Sequence, residues 1–274
     1  MRNFWIKGSN NRPILCDLRI AKKKDLSKII VFSHGFKGFK DWGAFNEIGD
    51  FFCEKGYTFL KFNFSHNGTT LDHPNDFVNL ESFGQNNFSK ELFDLDQVLN
   101  WITENLNNKV DIHNIILAGH SRGGGISILK SHDARVSKII SWASVSDFEK
   151  RLPSEKIDLW KKRGVVYVYN GRTNQQMPIS YQFREDFYKN KNKLSIPVAA
   201  KENIKPTLIV HGDQDTTVLL NEGLQLHEWI ANSELQIIKS ADHVFNTSHP
   251  FNKKDGFSSQ LKEVLAKTLL FVKK

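Results

Sequence analysis

Ile115-Ile116-Leu117-Ala118-Gly119-His120-Ser121-Arg122-Gly123 runs from an apolar, strand-like segment into a G-x-S-x-G turn, and Gly124-Gly125-Ile126-Ser127 continues it in a helix-compatible pattern. Strand, turn and helix in that order are the context in which this motif holds a serine on a sharp elbow. Such a turn is strained, and it needs glycine on both sides because neighbouring side chains would collide with the strand or the helix. Inside an ordinary helix Gly123, Gly124 and Gly125 would each cost up to about 1 kcal/mol relative to alanine. Their presence predicts a helix start packed against backbone.

Working outward, Ile29-Ile30-Val31-Phe32, Thr58 to Phe64, Ile139 to Ala143 and Thr207-Leu208-Ile209-Val210 are further short, mostly apolar runs. Runs of this kind suit strands covered on both faces. Helical patterns lie between them at about 43–55, 86–106, 123–132, 219–231 and 257–272, and Leu92, Leu95, Val98, Leu99, Ile102 and Leu106 form one apolar stripe. Strand and helix therefore alternate, which predicts an α/β fold with a mostly parallel, doubly wound sheet. Residues 4 to 7 and 13 to 20 alternate apolar and polar side chains across Gly8-Ser9-Asn10-Asn11-Arg12, the pattern of an antiparallel hairpin. Residues 146 to 205 break the alternation, with helix candidates at 154–162 and 181–190, a strand at Val165 to Tyr169 and a turn at Asn170-Gly171. An insertion of that length in a compact domain is usually functional or a subdomain. It reads as a lid over a core formed by residues 1–145 and 206–274.

A serine hydroxyl is a poor nucleophile unless a base accepts its proton and a third group orients that base. The strand Thr207 to Val210 is followed by His211-Gly212-Asp213-Gln214-Asp215-Thr216-Thr217-Val218, a loop with two carboxylates. The next strand, Leu235 to Ile238, is followed by Ala241-Asp242-His243, with His249 further on. Both loops stand at the carboxyl ends of presumed parallel strands, the rim where α/β sheets bind ligands.

With these motifs in view, the chain resembles the α/β-hydrolase superfamily over nearly its whole length. His211 to Val218 match that family's H-G-x-x-D-x-x-V loop with Asp215 in the acid position, and Ala241-Asp242-His243 matches its small-x-His loop. The resemblance implies Ser121 as nucleophile, His243 as base and Asp215 as the orienting acid. Asp213 as the acid and His249 as the base are the alternatives. It also implies an oxyanion hole made by the backbone N–H groups of Arg122 and of Phe36, the latter in the loop Ser33-His34-Gly35-Phe36-Lys37-Gly38. His34 is expected to brace that loop, and His120 to point away from the serine. The segment Asn63-Phe64-Ser65-His66-Asn67-Gly68 stands where many relatives carry R-G-x-G, so this side of the pocket departs from the family pattern.

Within the superfamily the motifs look similar to cinnamoyl and feruloyl esterases and to dienelactone-hydrolase-like and prolyl-oligopeptidase-like enzymes. Carboxylic ester hydrolysis on a small-molecule acyl substrate, without metal or other cofactor, is the implied activity. A small peptidase or acyl-peptide hydrolase and a non-catalytic binding module are the competing readings. Phe148, Trp160, Tyr167, Tyr169, Tyr181, Phe183, Phe187 and Tyr188 are expected to form the core of the insertion, some of them facing a pocket.

Composition narrows the remaining choices. With 39% hydrophobic residues and 12% aromatics the 274-residue chain can bury a full core, which argues against disorder. A formal charge of +8 raises nucleic acid as a partner, but Lys22-Lys23-Lys24, Lys161-Lys162-Arg163 and Lys273-Lys274 are short and scattered, so solvated surface is the expectation. No stretch approaches the roughly 18 consecutive apolar residues of a membrane span, and the start lacks an apolar signal core, so a cytoplasmic protein is expected. Cys16 and Cys53 have no metal-ligand spacing and are expected to be buried thiols.

Overall fold

The computed structural model describes residues 1–22, 26–154 and 157–274. Its strands and helices follow the apolar runs. The chain opens with β1 (Phe4–Lys7) and β2 (Pro13–Arg19), an antiparallel hairpin joined by a 3₁₀ turn at Ser9–Asn11, then β3 (Ser27–Ser33), α1 (Phe45–Glu54) and β4 (Thr58–Asn63). Next come α2 (Leu80–Gly84), α3 (Phe88–Asn105), β5 (Val110–His120), α4 (Arg122–Leu129) and β6 (Val136–Trp142). Within the insertion lie α5 (Ile157–Arg163), β7 (Val165–Asn170), β8 (Gln175–Ser180), α6 (Gln182–Lys189) and α7 (Ile196–Glu202). The chain closes with β9 (Thr207–Gly212), α8 (Leu220–Trp229), β10 (Ser233–Ile238) and α9 (Ser259–Lys273). Residues 155 and 156 of the helix expected at 154–162, and Lys23 and Lys24 of the first lysine run, lie outside the described residues.

Eight strands form one sheet in the order β1-β2-β4-β3-β5-β6-β9-β10. The pairs β1–β2 and β2–β4 are antiparallel and the rest are parallel, so the expected α/β architecture is present. Both faces of the central strands are covered, and this explains their unbroken apolar runs. Ile29, Val31, Ile115 and Leu117 pack into one core with α3, α4 and α8. Ile30, Phe32, Ile116 and Ala118, the alternate residues, pack on the other side with α1 and α9. Among the described residues no helix is long and apolar enough to cross a membrane.

Register places the functional loops. Ser33 pairs with Gly119, Gly119 with Ser141, and Ser141 with Ile209, so the carboxyl ends of β3, β5, β6 and β9 finish on one rim.

The insertion departs from its sequence pattern in two places. Gln175-Gln176-Met177-Pro178-Ile179-Ser180 has little strand character and contains a proline, yet it pairs antiparallel with β7. The sheet has two strands, so the Pro178 nitrogen sits on an edge where a donor is dispensable. The helix α7, also without a clear periodic signal, begins at the cap Ser195 and packs against α4 and α8. Cys16 is buried, but Cys53 is only half-buried because it lies on the flank of α1, where Ile48 and Phe52 take the sheet-facing positions. The expectation of two buried thiols is therefore corrected, and both are free.

Candidate active site

Ser121 follows β5 directly and caps α4 with φ 56° and ψ −121°, in the left-handed half of backbone space that non-glycine residues rarely adopt. Its N–H donates to the Trp142 carbonyl at 2.8 Å, which ties the elbow to β6. Glycine is compulsory around it. A Cβ on Gly119 would lie 2.2 Å from the Gly123 carbonyl oxygen, and one on Gly123 would lie 2.2 Å from the Ser33 oxygen. Of the three glycines at the helix start, Gly123 packs against the backbone of β3, whereas Gly124 meets the Ser144 side chain and Gly125 those of Ile196 and Phe148.

Asp215 lies in the loop after β9. Its Oδ1 accepts the N–H groups of Thr217 at 2.8 Å and Val218 at 2.9 Å, while its Oδ2 accepts His243 Nδ1–H at 2.8 Å. His211 Nε2 stands 3.4 Å from the same oxygen and donates to the Val218 carbonyl at 2.8 Å. Burial opposes the Asp215 charge, but the hydrogen bonds from His211, His243 and Val218 outweigh it and hold the carboxyl well below the usual carboxylate range. An ionised Asp215 fixes the proton of His243 on Nδ1, which leaves Nε2 as an acceptor.

The two alternatives sit elsewhere. Asp213 Oδ1 accepts the Ser240 N–H at 2.7 Å and joins two loops. His249 stacks on Trp42 at 5.7 Å, and its Nδ1 accepts the Gly43 N–H at 3.0 Å.

Ser121 and His243 line one cavity of about 1200 Å³. Gly35 and Phe36 line it too, and a Cβ on Gly35 would come within 2.9 Å of the Ser121 Cβ, so the loop after β3 runs directly beside the serine. Arg122 is the first residue of α4, where a backbone N–H has no intrahelical acceptor. His34 is buried, bonds through Nδ1 to the Gly35 carbonyl at 2.8 Å and accepts the Phe64 N–H on Nε2 at 3.4 Å. It braces the loop as a neutral ring, since burial lowers its pKa to about 4.

Two side chains carry parts that their sequence positions did not disclose. His120 donates from Nε2 to the His243 carbonyl at 2.8 Å and so braces the loop that carries His243. Burial, reinforced by nearby His243, lowers its pKa to about 3 and keeps it neutral. The Arg122 side chain is buried on the cavity wall, 3.2 Å from Glu91 Oε1 and 4.1 Å above the Phe36 ring. Asn86 Nδ2 donates to that same Glu91 oxygen at 2.7 Å. The only signal for this pair was Glu91 in the first turn of an otherwise amphipathic helix.

Residues of the 146–205 segment also line the cavity. Phe148, Trp160 and Phe183 are both core and cavity lining, whereas Phe187 is buried without facing the cavity. Tyr167 lies exposed at the cavity mouth, and Tyr169 and Tyr188 are exposed away from it.

Comparison with known proteins places the fold and the family. The model of the BD-FAE family matches residues 20–230. A putative esterase/lipase of Mycoplasma genitalium is 26% identical over 121 residues, which is 44% of this chain and 38% of that protein. The chain thus matches well under half the length of that relative. Ferulic-acid-bound Est1E from Butyrivibrio proteoclasticus superposes with a TM-score of 0.74 at 18% identity, over 98% of this chain and 97% of the other. The α/β hydrolase GrgF from Penicillium sp. sh18 does so with a TM-score of 0.72 at 18% identity, over 98% and 96%. Since the family match spans most of the sheet and the whole topology superposes on these structures, the chain belongs to the BD-FAE family and has the α/β-hydrolase fold.

Proposed function

We propose that this carboxylesterase-like hydrolase cleaves a carboxylic ester through an acyl-enzyme on Ser121. The observation that carries the reading is the 2.8 Å bond from His243 Nδ1 to a buried, ionised Asp215, with His243 and the strained Ser121 on one cavity. His243 Nε2 takes the Ser121 proton as Oγ bonds to the acyl carbon, and the carbonyl oxygen gains the negative charge. The backbone N–H groups of Phe36 and Arg122 stabilise that oxygen. As the tetrahedral centre collapses, the alcohol leaves with the proton from His243. Water then loses a proton to His243, attacks the acyl carbon and releases the acid and Ser121. The residues named act without a metal or cofactor.

Residues 146–205 serve as a lid in this reading, because Phe148, Trp160 and Phe183 face the cavity in which the acyl carbon would sit. Removing water from that space strengthens the oxyanion hydrogen bonds. A panel of short acyl esters, aryl esters and aminoacyl amides, assayed with the parent and Ser121→Ala, tests the proposal. Ester turnover that is abolished by the substitution is expected. Faster turnover of amides than esters would contradict it.

A further inference from the structure

The charges around the cavity are unequal. Lys37, Arg122, Arg151, Arg163 and Arg172 line it, and Asp242 is the one carboxylate among the described lining residues. Asp242 is occupied by its own loop, since its Oδ1 accepts the N–H groups of Val244 and Asn246 at 3.0 and 2.7 Å. Two of the cations are neutralised, Arg122 by Glu91 and Arg151 by Glu222.

The other three, Lys37, Arg163 and Arg172, have no carboxylate partner among the described residues, and of these Lys37 and Arg172 stand together. Lys37 follows Phe36 on the loop beside Ser121, and Arg172 sits in the turn between β7 and β8. The Arg172 guanidinium donates to the Lys37 carbonyl at 2.6 Å, and the Lys37 ammonium donates to the Tyr169 carbonyl at 3.2 Å. Neither has a salt-bridge partner among the described residues. Arg172 also lies 5.3 Å from the Trp42 ring and Lys37 5.8 Å from the Phe36 ring, contacts that favour a cation without cancelling its charge. Burial and the Arg172 charge both act against the Lys37 ammonium. Two like charges are therefore held together at the cavity, an arrangement that an anion between them would relieve.

From this juxtaposition we infer that the substrate ester itself bears a carboxylate, which Lys37 and Arg172 clamp while its ester carbonyl lies at Ser121. The inference rests on the esterase reading above. The carboxylate can belong to the acyl part, as in a half-ester of a dicarboxylic acid, or to the alcohol part, and two matched pairs of probes separate these. The first pair is 4-nitrophenyl hydrogen glutarate against its methyl ester. The second is 4-carboxyphenyl butyrate against 4-(methoxycarbonyl)phenyl butyrate. For each pair the ratio of kcat/KM, anionic over neutral, is measured with uncatalysed hydrolysis subtracted.

In at least one pair the ratio is expected to reach about tenfold, the worth of one charge-assisted contact. It should shrink with added salt, and it should fall toward unity in Lys37→Gln/Arg172→Gln. The exposed pair Lys161→Gln/Lys162→Gln removes the same net charge and should keep the parental ratio. If the double variant fails to fold, Arg172→Gln alone, at an exposed hairpin turn, is expected to lower the ratio. Parental ratios at or below one in both pairs, or a ratio untouched by the clamp substitutions, overturn the inference while the esterase reading stands. If Ser121→Ala turns over every probe at the parental rate, the esterase reading fails and the inference fails with it.

Discussion

A pair of carboxylates two residues apart shows how much one side chain's surroundings decide. Asp213 and Asp215 share a loop, yet only Asp215 meets His243, and Asp213 instead joins its loop to Ser240. Asp215→Asn should lower kcat by about 10⁴-fold, because the amide would favour the wrong imidazole tautomer. Asp213→Asn should cost far less, and steady-state kinetics of the two purified variants check the contrast. His120 makes a subtler case. With its ring removed in His120→Ala, the His243 carbonyl loses its donor and the base loop loosens. A fall of about tenfold to a hundredfold in kcat is expected, with KM little changed. A filler without this contact would alter thermal stability but not this split. The loop motifs around Ser121, Asp215 and His243 were legible because each residue type has a fixed place relative to a strand end. The His120 brace and the Glu91–Arg122 pair were not, since they depend on elements distant in sequence whose approach no local pattern encodes.

Among the elements, α4 and the strands beside it are specified by volume as much as by hydrophobicity. Its Gly123 allows the helix to touch β3, where a Cβ would lie 2.2 Å from the Ser33 oxygen. Gly123→Ala should therefore destabilise the fold by about 1–3 kcal/mol through overpacking, visible as a lower urea midpoint. Gly171→Ala is the matched control, because its Cβ would meet only the Tyr169 ring at 3.6 Å. Its midpoint should stay within about 0.5 kcal/mol of the parent. The alternating strands and long helices could be read from period alone, as α3 shows. The hairpin partner β8 and the helix α7 could not, because tertiary packing against α2 and against α4 and α8 overrides weak local preference.

At the scale of the whole molecule, buried histidines set the acid limit. Burial lowers the pKa of His34 to about 4 and of His66 and His120 to about 3. In the unfolded chain each would titrate near about 6.5. Between those values the unfolded state binds protons that the folded state refuses, so stability rises with pH and is fully present above about 6.5. As pH falls toward 4 each such histidine removes up to about 1.4 kcal/mol per pH unit. Asp215 acts in the same direction at lower pH, because its depressed carboxyl must be protonated there. Thermal melts between pH 7 and 4 should show a steep loss in the parent. His120→Gln should show a shallower one, since its amide can still donate and does not titrate.

The proposed reaction turns on a covalent intermediate at one oxygen. Rapid acid quench during turnover of an activated aryl ester, followed by mass spectrometry of the digested protein, tests that most directly. The expected result is an acyl mass on the peptide containing Ser121, absent from Ser121→Ala and accumulating in Asp215→Asn only slowly. An acyl group carried by another residue, or full turnover by Ser121→Ala, would contradict it.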